Sequence, residues 1–137
     1  MLATVFVIDH EIGHALVDVL RIPTVGREED AADQFAMVAS TKSDSGAISP
    51  INPTYSALFI FGAWATRENT DPIVALGDAH ELNAQRMLNL TCWLYGSGVE
   101  VSPNLLSMLP EARRAGCTDE VWHIFESWRR LLAPYRR

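Results

Sequence analysis

His10, Glu11 and His14 lie in the segment Val7-Ile8-Asp9-His10-Glu11-Ile12-Gly13-His14-Ala15-Leu16. Two histidines four residues apart on a helix project from one face. That is the geometry two imidazole nitrogens need to share one zinc ion. Glu11 falls about 100° around the helix from His10, beside the metal rather than on it. There it can take a proton from an activated water, the role of the glutamate in HExxH sites. Five residues make a short signal, and the bland alternative is two surface histidines on an amphipathic helix. The flanks argue against it: Ile8, Ile12, Gly13, Ala15 and Leu16 bring no charge to compete for the metal.

A catalytic zinc takes three protein ligands and keeps a fourth position open. Gly26-Arg27-Glu28-Glu29-Asp30-Ala31-Ala32-Asp33 supplies the third. Glu29 and Asp33 are four apart and share a helix face, so Glu29 can bind zinc while Asp33 reaches the second nitrogen of a ligand histidine and fixes its tautomer. Small Ala31 and Ala32 let this helix come close to the first. Glu28 is the other candidate ligand, but its i+4 position is Ala32, which offers no supporting carboxylate. An acidic, solvated helix start is the alternative for the whole segment.

The third element is Asp78-Ala79-His80-Glu81-Leu82-Asn83-Ala84-Gln85-Arg86. Hydrolysis of an amide needs a donor for the oxyanion that develops on the carbonyl oxygen. His80 and Arg86 could supply it, with Asp78 orienting the imidazole. The alternative is a helix cap followed by an exposed amphipathic face.

These residues must be carried by helices. Val5 to Leu20 has Ile8, Ile12, Ala15, Leu16 and Val19 at three- and four-residue steps, which predicts an inner face, and Pro23 and Gly26 end it. A second helix starts near Arg27 or Glu28 with Ala32, Phe35, Ala36 and Ala39 facing inward. Residues 41–53 read as a loop, Tyr55 to Thr66 as an apolar helix, and 67–77 as a second loop. A helix follows from Asp78 to Tyr95, stopped at Gly96-Ser97-Gly98. Leu105 to Leu109 makes a short turn before Pro110. The last helix runs from Thr118 to Leu132, packing through Val121, Ile124, Phe125, Trp128, Leu131 and Leu132. Trp64, Trp93, Trp122 and Trp128 fall in apolar helical patterns and read as core aromatics. His123 reads as a core or surface histidine rather than a ligand, and Arg129, Arg130, Arg136 and Arg137 as a solvated helix end. No segment alternates with period two convincingly, though Leu2 to Val7 could form one short strand. The fold class is therefore mainly α: a single compact helical domain over residues 1–137.

With 137 residues, 48% of them hydrophobic, the chain can bury one modest core. Eleven basic against 17 acidic residues give a net charge of −6. That excludes the basic stripe a nucleic-acid partner needs, and no lysine- or arginine-rich run suggests anionic lipid. Ala57 to Ala65 is too short to span a bilayer, so no membrane span is expected. Leu2 to Ile8 lacks the basic flank and cleavage site of a signal peptide. Cys92 and Cys117 could be buried thiols or one disulfide; their spacing leaves both open.

The HEIGH segment followed by Glu29-x-x-Ala32-Asp33 resembles the ligand pattern of gluzincins, in particular that of CAAX-type membrane endopeptidases, which also carry a later His-x5-Arg element like His80 and Arg86. A resemblance covering most of the chain is to a bacterial family of metallopeptidase-like proteins catalogued as a domain of unknown function. His10–Ala15, Gly26–Asp33, His80–Gly96 and the Leu109-Pro110…Arg114…Cys117 stretch carry it. It implies a zincin-like domain holding one Zn2+ on His10, His14 and Glu29, with Glu11 as general base and peptides or proteins as substrates. Members of that family usually have an exported N-terminus and further sequence ahead of the zinc helix. The resemblance thus implies residues upstream of Met1, a periplasmic or secreted location, and a Cys92–Cys117 disulfide. The missing signal peptide keeps a cytoplasmic location open.

Two readings from another class compete with a peptidase. In a non-catalytic, zinc-stabilised helical binding module, Glu11 would be dispensable; in a metal-free interaction domain, the purified protein would hold no zinc. The same water-activating motif also suits a non-peptide hydrolase. Cleavage preference and oligomeric state are not written in these residues.

Overall fold

The structure is a computed structural model and describes residues 2–41, 52–67 and 82–136. All the regular secondary structure among these residues is helical: α1 Leu2–Leu20, α2 Glu28–Thr41, α3 Pro53–Ala65, α4 Asn83–Gly96, α5 Pro103–Ser107, α6 Glu111–Leu132, and a closing 3-10 turn at Ala133–Tyr135. The helices pack as a ring of neighbours: α1 lies against α2 and α3, α3 against α4, α4 against α6, and α6 returns to α2. No described helix is long and apolar enough to cross a membrane.

The helix ends follow from local chemistry. Asn52 caps α3 by accepting from the Thr54 amide at 2.9 Å, and Pro53 sits where a helix needs no amide donor. Glu28, Glu29 and Asp30 put negative charge on the first turn of α2. The helices α1 and α4 stop in the same way. At the end of α4, Gly98 takes φ 81°, and Val99 donates back to Leu94 and Gly98 to Tyr95. At the end of α1, Arg21 takes φ 52°, with Ile22 donating to Val17 and Arg21 to Asp18. This is the Schellman arrangement, closed by the apolar pair of the residue after the turn and the one five before it. Ile22 and Val17 are both buried, which lets a non-glycine residue hold the left-handed position.

Two close helix crossings depend on glycine. A Cβ on Gly13 would stand 2.9 Å from the Ala32 Cα, so α1 and α2 meet backbone to backbone. A Cβ on Gly96 would collide with the Cys117 carbonyl. Near that second crossing, Cys92 and Cys117 form a disulfide between α4 and α6. There Trp93 Nε1 also donates to Glu120 at 2.6 Å, and Arg113 pairs with the same carboxylate. The main core joins Phe6 and Val17 of α1 to Ala36 and Met37 of α2, Leu58 and Phe61 of α3, Leu90 and Leu94 of α4, and Val121, Ile124 and Trp128 of α6.

Several expectations are corrected. Leu2 to Val7 is the first part of α1, not a strand; it has no neighbouring strand among the described residues to pair with, and a helix satisfies its amides internally. The buried face of α1 is Phe6, His10, Gly13 and Val17, whereas Ile8, Ile12 and Val19 are exposed. This helix is apolar nearly all round, so periodicity could not choose the face; the close approach available only at Gly13 does. In α2, Ala39 is exposed and Met37 takes the inward place. Trp93 and Trp128 are core, but Trp64 and Trp122 are 46% and 60% exposed, lying on outer faces of α3 and α6. The last helix begins at Glu111 rather than Thr118, directly after Pro110, and the expected turn at Leu105–Leu109 is largely the short helix α5, capped by Ser102. The expected loops at 41–53 and 67–77, and the start of a helix at Asp78, fall mainly outside the described residues.

Candidate metal centre

The α1–α2 crossing at Gly13 and Ala32 lies between the two halves of the cluster. On α1 it sits beside His10 and His14; on α2 it sits between Glu29 and Asp33. One turn of α1 carries both imidazoles to the same side, and their Nε2 atoms stand 3.2 Å apart. The Glu29 carboxylate faces both, Oε2 at 3.3 Å from His10 Nε2 and Oε1 at 3.4 Å from His14 Nε2. One donor atom from each of the three lies within 4.8 Å of the others, close enough to share a metal ion.

The other ring nitrogens are also engaged. His10 Nδ1 is 2.8 Å from Asp33 Oδ1, and His14 Nδ1 is 2.7 Å from Glu28 Oε1. A carboxylate can only accept, so each Nδ1 carries the proton in that bond. In the neutral rings both Nε2 lone pairs then point at one place, beside a third carboxylate. Lone pairs that converge in this way repel unless a cation lies between them. The donor set of two imidazole nitrogens and one carboxylate is that of catalytic zinc sites, and carboxylates behind ligand histidines are the usual support of such sites. The residues present therefore fit a metal ion.

The two supports differ in character. Asp33 is buried and also receives Arg86, Nε on Oδ2 at 2.8 Å and Nη2 on Oδ1 at 2.7 Å. Burial by itself would raise the Asp33 carboxyl, but the hydrogen bonds from His10 and Arg86 and the guanidinium charge outweigh it and hold the group below the usual carboxylate range. Glu28 is nearly half exposed. Burial alone would lower the His14 imidazole; the Glu28 hydrogen bond and the charges of Glu29, Glu28 and Glu11 outweigh this and raise it. The same negative field that favours an imidazolium favours a metal cation. Behind the centre, Ser40 of α2 donates to Asp9 of α1 at 3.1 Å, a second tie between the two helices.

Of the residues singled out from sequence, His10, His14, Glu29 and Asp33 come together. Glu11 lies on the exposed side of α1 next to His10. Arg86 joins the cluster through Asp33, with its Cζ 4.0 Å from the centre of the Phe61 ring. His80 lies outside the described residues. The residue that sequence reasoning passed over is Glu28: set aside for lack of a carboxylate at i+4, it is itself the carboxylate behind His14. The signal was present, because two candidate ligand histidines call for two supports and Asp33 can serve only one of them.

No curated protein and no solved structure matches the chain. A family model described as "Putative metallopeptidase" matches residues 1–132. A match over nearly the whole chain, on a helical domain whose two histidines and glutamate converge as metal ligands do, establishes the lineage: this chain belongs to that metallopeptidase family.

Proposed function

We propose that the chain is a zinc-dependent peptidase of the gluzincin type, with His10, His14 and Glu29 holding the metal and Glu11 acting as general base. The observation that carries this reading is the convergence of the two Nε2 atoms and the Glu29 carboxylate, with both Nδ1 atoms bonded to other carboxylates. A zinc ion held by such a set supplies Lewis acidity, which polarises a carbonyl and makes a water acidic near neutral pH. Glu11, one residue past His10 and exposed, accepts the proton of the attacking water and delivers it to the leaving amine. Asp33 and Glu28 keep the two imidazoles in the Nδ1–H tautomer, and Asp33 stays ionised while it does so. His80 is the proposed donor to the developing oxyanion. Peptides or proteins are the substrates.

The test is zinc content by elemental analysis, together with cleavage of a mixed peptide pool followed by mass spectrometry. Wild type should hold close to one zinc per chain and cleave peptides. Glu29→Ala should lose metal, whereas Glu11→Gln should keep the metal and lose cleavage. Unchanged function in Glu11→Gln would favour the zinc-stabilised binding module, and wild type without zinc after refolding with the metal would overturn the site altogether.

A further inference from the structure

Arg86 stands 53 residues along the chain from Asp33, on a different helix, yet its guanidinium is bonded to the Asp33 carboxylate. Its side chain is 13% exposed and that of Asp33 is 7% exposed. Two of its donors form a fork over both oxygens of Asp33. Its Cζ lies over the Phe61 ring, 4.0 Å from the centre, and Phe61 is buried and meets Phe6 and Trp64 edge to face. Among the described residues Asp33 Oδ1 then accepts from both Arg86 Nη2 and His10 Nδ1.

We propose that Arg86 is a positioning residue for the metal centre, acting through Asp33 to set the tautomer and direction of His10. The proposal rests on the reading of His10 as a ligand, and it gives Arg86 a different task from the oxyanion contact expected from the sequence. The terminal torsion of an aspartate is soft, with a broad, twofold preference. A carboxylate held by one bond can swing its oxygens away from the imidazole. A planar fork on both oxygens removes that freedom and leaves Oδ1 aimed at His10 Nδ1. The imidazole proton is then kept on Nδ1, and the Nε2 lone pair faces His14 and Glu29. Phe61 adds a cation–π attraction that holds the guanidinium carbon over its ring. Lysine could supply the charge but not the fork. The arrangement brings α1, α2, α3 and α4 to one metal ligand, so the distant helix pair α3–α4 takes part in holding the centre.

Wild type, Arg86→Lys, Arg86→Gln, Asp33→Asn and the double variant Arg86→Gln/Asp33→Asn test this with two readouts. The first is zinc affinity by competition with a chromophoric chelator. Loss of a residue supporting a ligand histidine should weaken binding by roughly tenfold to a hundredfold, so Arg86→Gln should fall in that range and Arg86→Lys between it and wild type. The double variant should be no weaker than the weaker single variant, because both remove one linkage. The second readout is the tautomer of His10 in metal-free protein above neutral pH, by nitrogen-15 NMR. Wild type should show the Nδ1–H form, and Arg86→Gln a mixture at His10 with His14 unchanged. Additive affinity losses, or an Arg86→Gln protein with wild-type His10 tautomer, would overturn the proposal. Should Arg86→Gln fail to fold by circular dichroism, Arg86→Lys decides by the same two readouts, with wild-type values refuting the role. Wild type that binds no zinc refutes the metal centre instead, while the tautomer measurement still judges the link from Arg86 to His10.

Discussion

Gly13 and Ala32 touch at the crossing of α1 and α2, closely enough that a Cβ on Gly13 would lie 2.9 Å from the Ala32 Cα and 3.3 Å from its carbonyl oxygen. Gly13 lies between His10 and His14, and Ala32 between Glu29 and Asp33, so the contact that packs the helices also sets the distance between the histidines and Glu29. Gly13→Ala cannot be absorbed by moving a flexible side chain, since the atoms it meets are the backbone and fixed Cβ of Ala32. It should destabilise the fold by roughly 1–3 kcal/mol and also weaken zinc binding. Thermal melting and chelator competition on the same sample check both; a variant with lower melting temperature but unaltered zinc affinity would uncouple the packing from the site.

Glu28 is bonded to His14 as Asp33 is to His10, but it is 46% exposed where Asp33 is 7% exposed. Water can take the place of an exposed carboxylate more readily than that of a buried one. Glu28→Gln should therefore weaken zinc binding by about tenfold, the lower end of the range for such supports, and Asp33→Asn by more. Chelator competition ranks the two variants, and a larger loss at Glu28 would contradict the argument from burial.

The disulfide joins residues separated by 25 positions. Closing a loop of that length removes denatured-state entropy equivalent to about 3.5 kcal/mol in the chain-entropy description. Replacing Cys92 and Cys117 together by serine should lower the denaturation midpoint by a corresponding amount. Zinc stoichiometry should be kept, because the proposed ligands lie on α1 and α2. Urea unfolding under oxidising conditions and after reduction provides the comparison.

Glu120 accepts from Trp93 and Arg113 between α4 and α6. Burial alone would raise its carboxyl, yet the hydrogen bonds from Arg113 and Trp93 and the Arg113 charge bring it below its ordinary value of 4.5. A depressed folded-state value means that the stabilisation is complete above pH 4.5 and is lost as the pH falls through the lower, folded value. Melting temperature should thus decline on the acid side of pH 4.5 more gently in Glu120→Gln than in wild type. Parallel acid-side slopes would show that the carboxylate makes no such contribution.

Whatever depends on the pitch of one helix was legible in the chain alone. His10 with His14, and Glu29 with Asp33, share faces because they are four residues apart, and this holds wherever the helices lie. The mainly helical class, the punctuation at Gly98 and the short reach of every apolar run were equally local. Tertiary structure decided the rest. Only packing could bury Phe6, His10, Gly13 and Val17 rather than Ile8, Ile12 and Val19, since α1 is apolar on both sides and a small residue at the crossing outweighs a larger apolar stripe. Only packing could bring Glu28 to His14 or Arg86 to Asp33. Those bonds join separate helices, and their partners are chosen by how closely the backbones approach, a quantity that no spacing within a single helix contains.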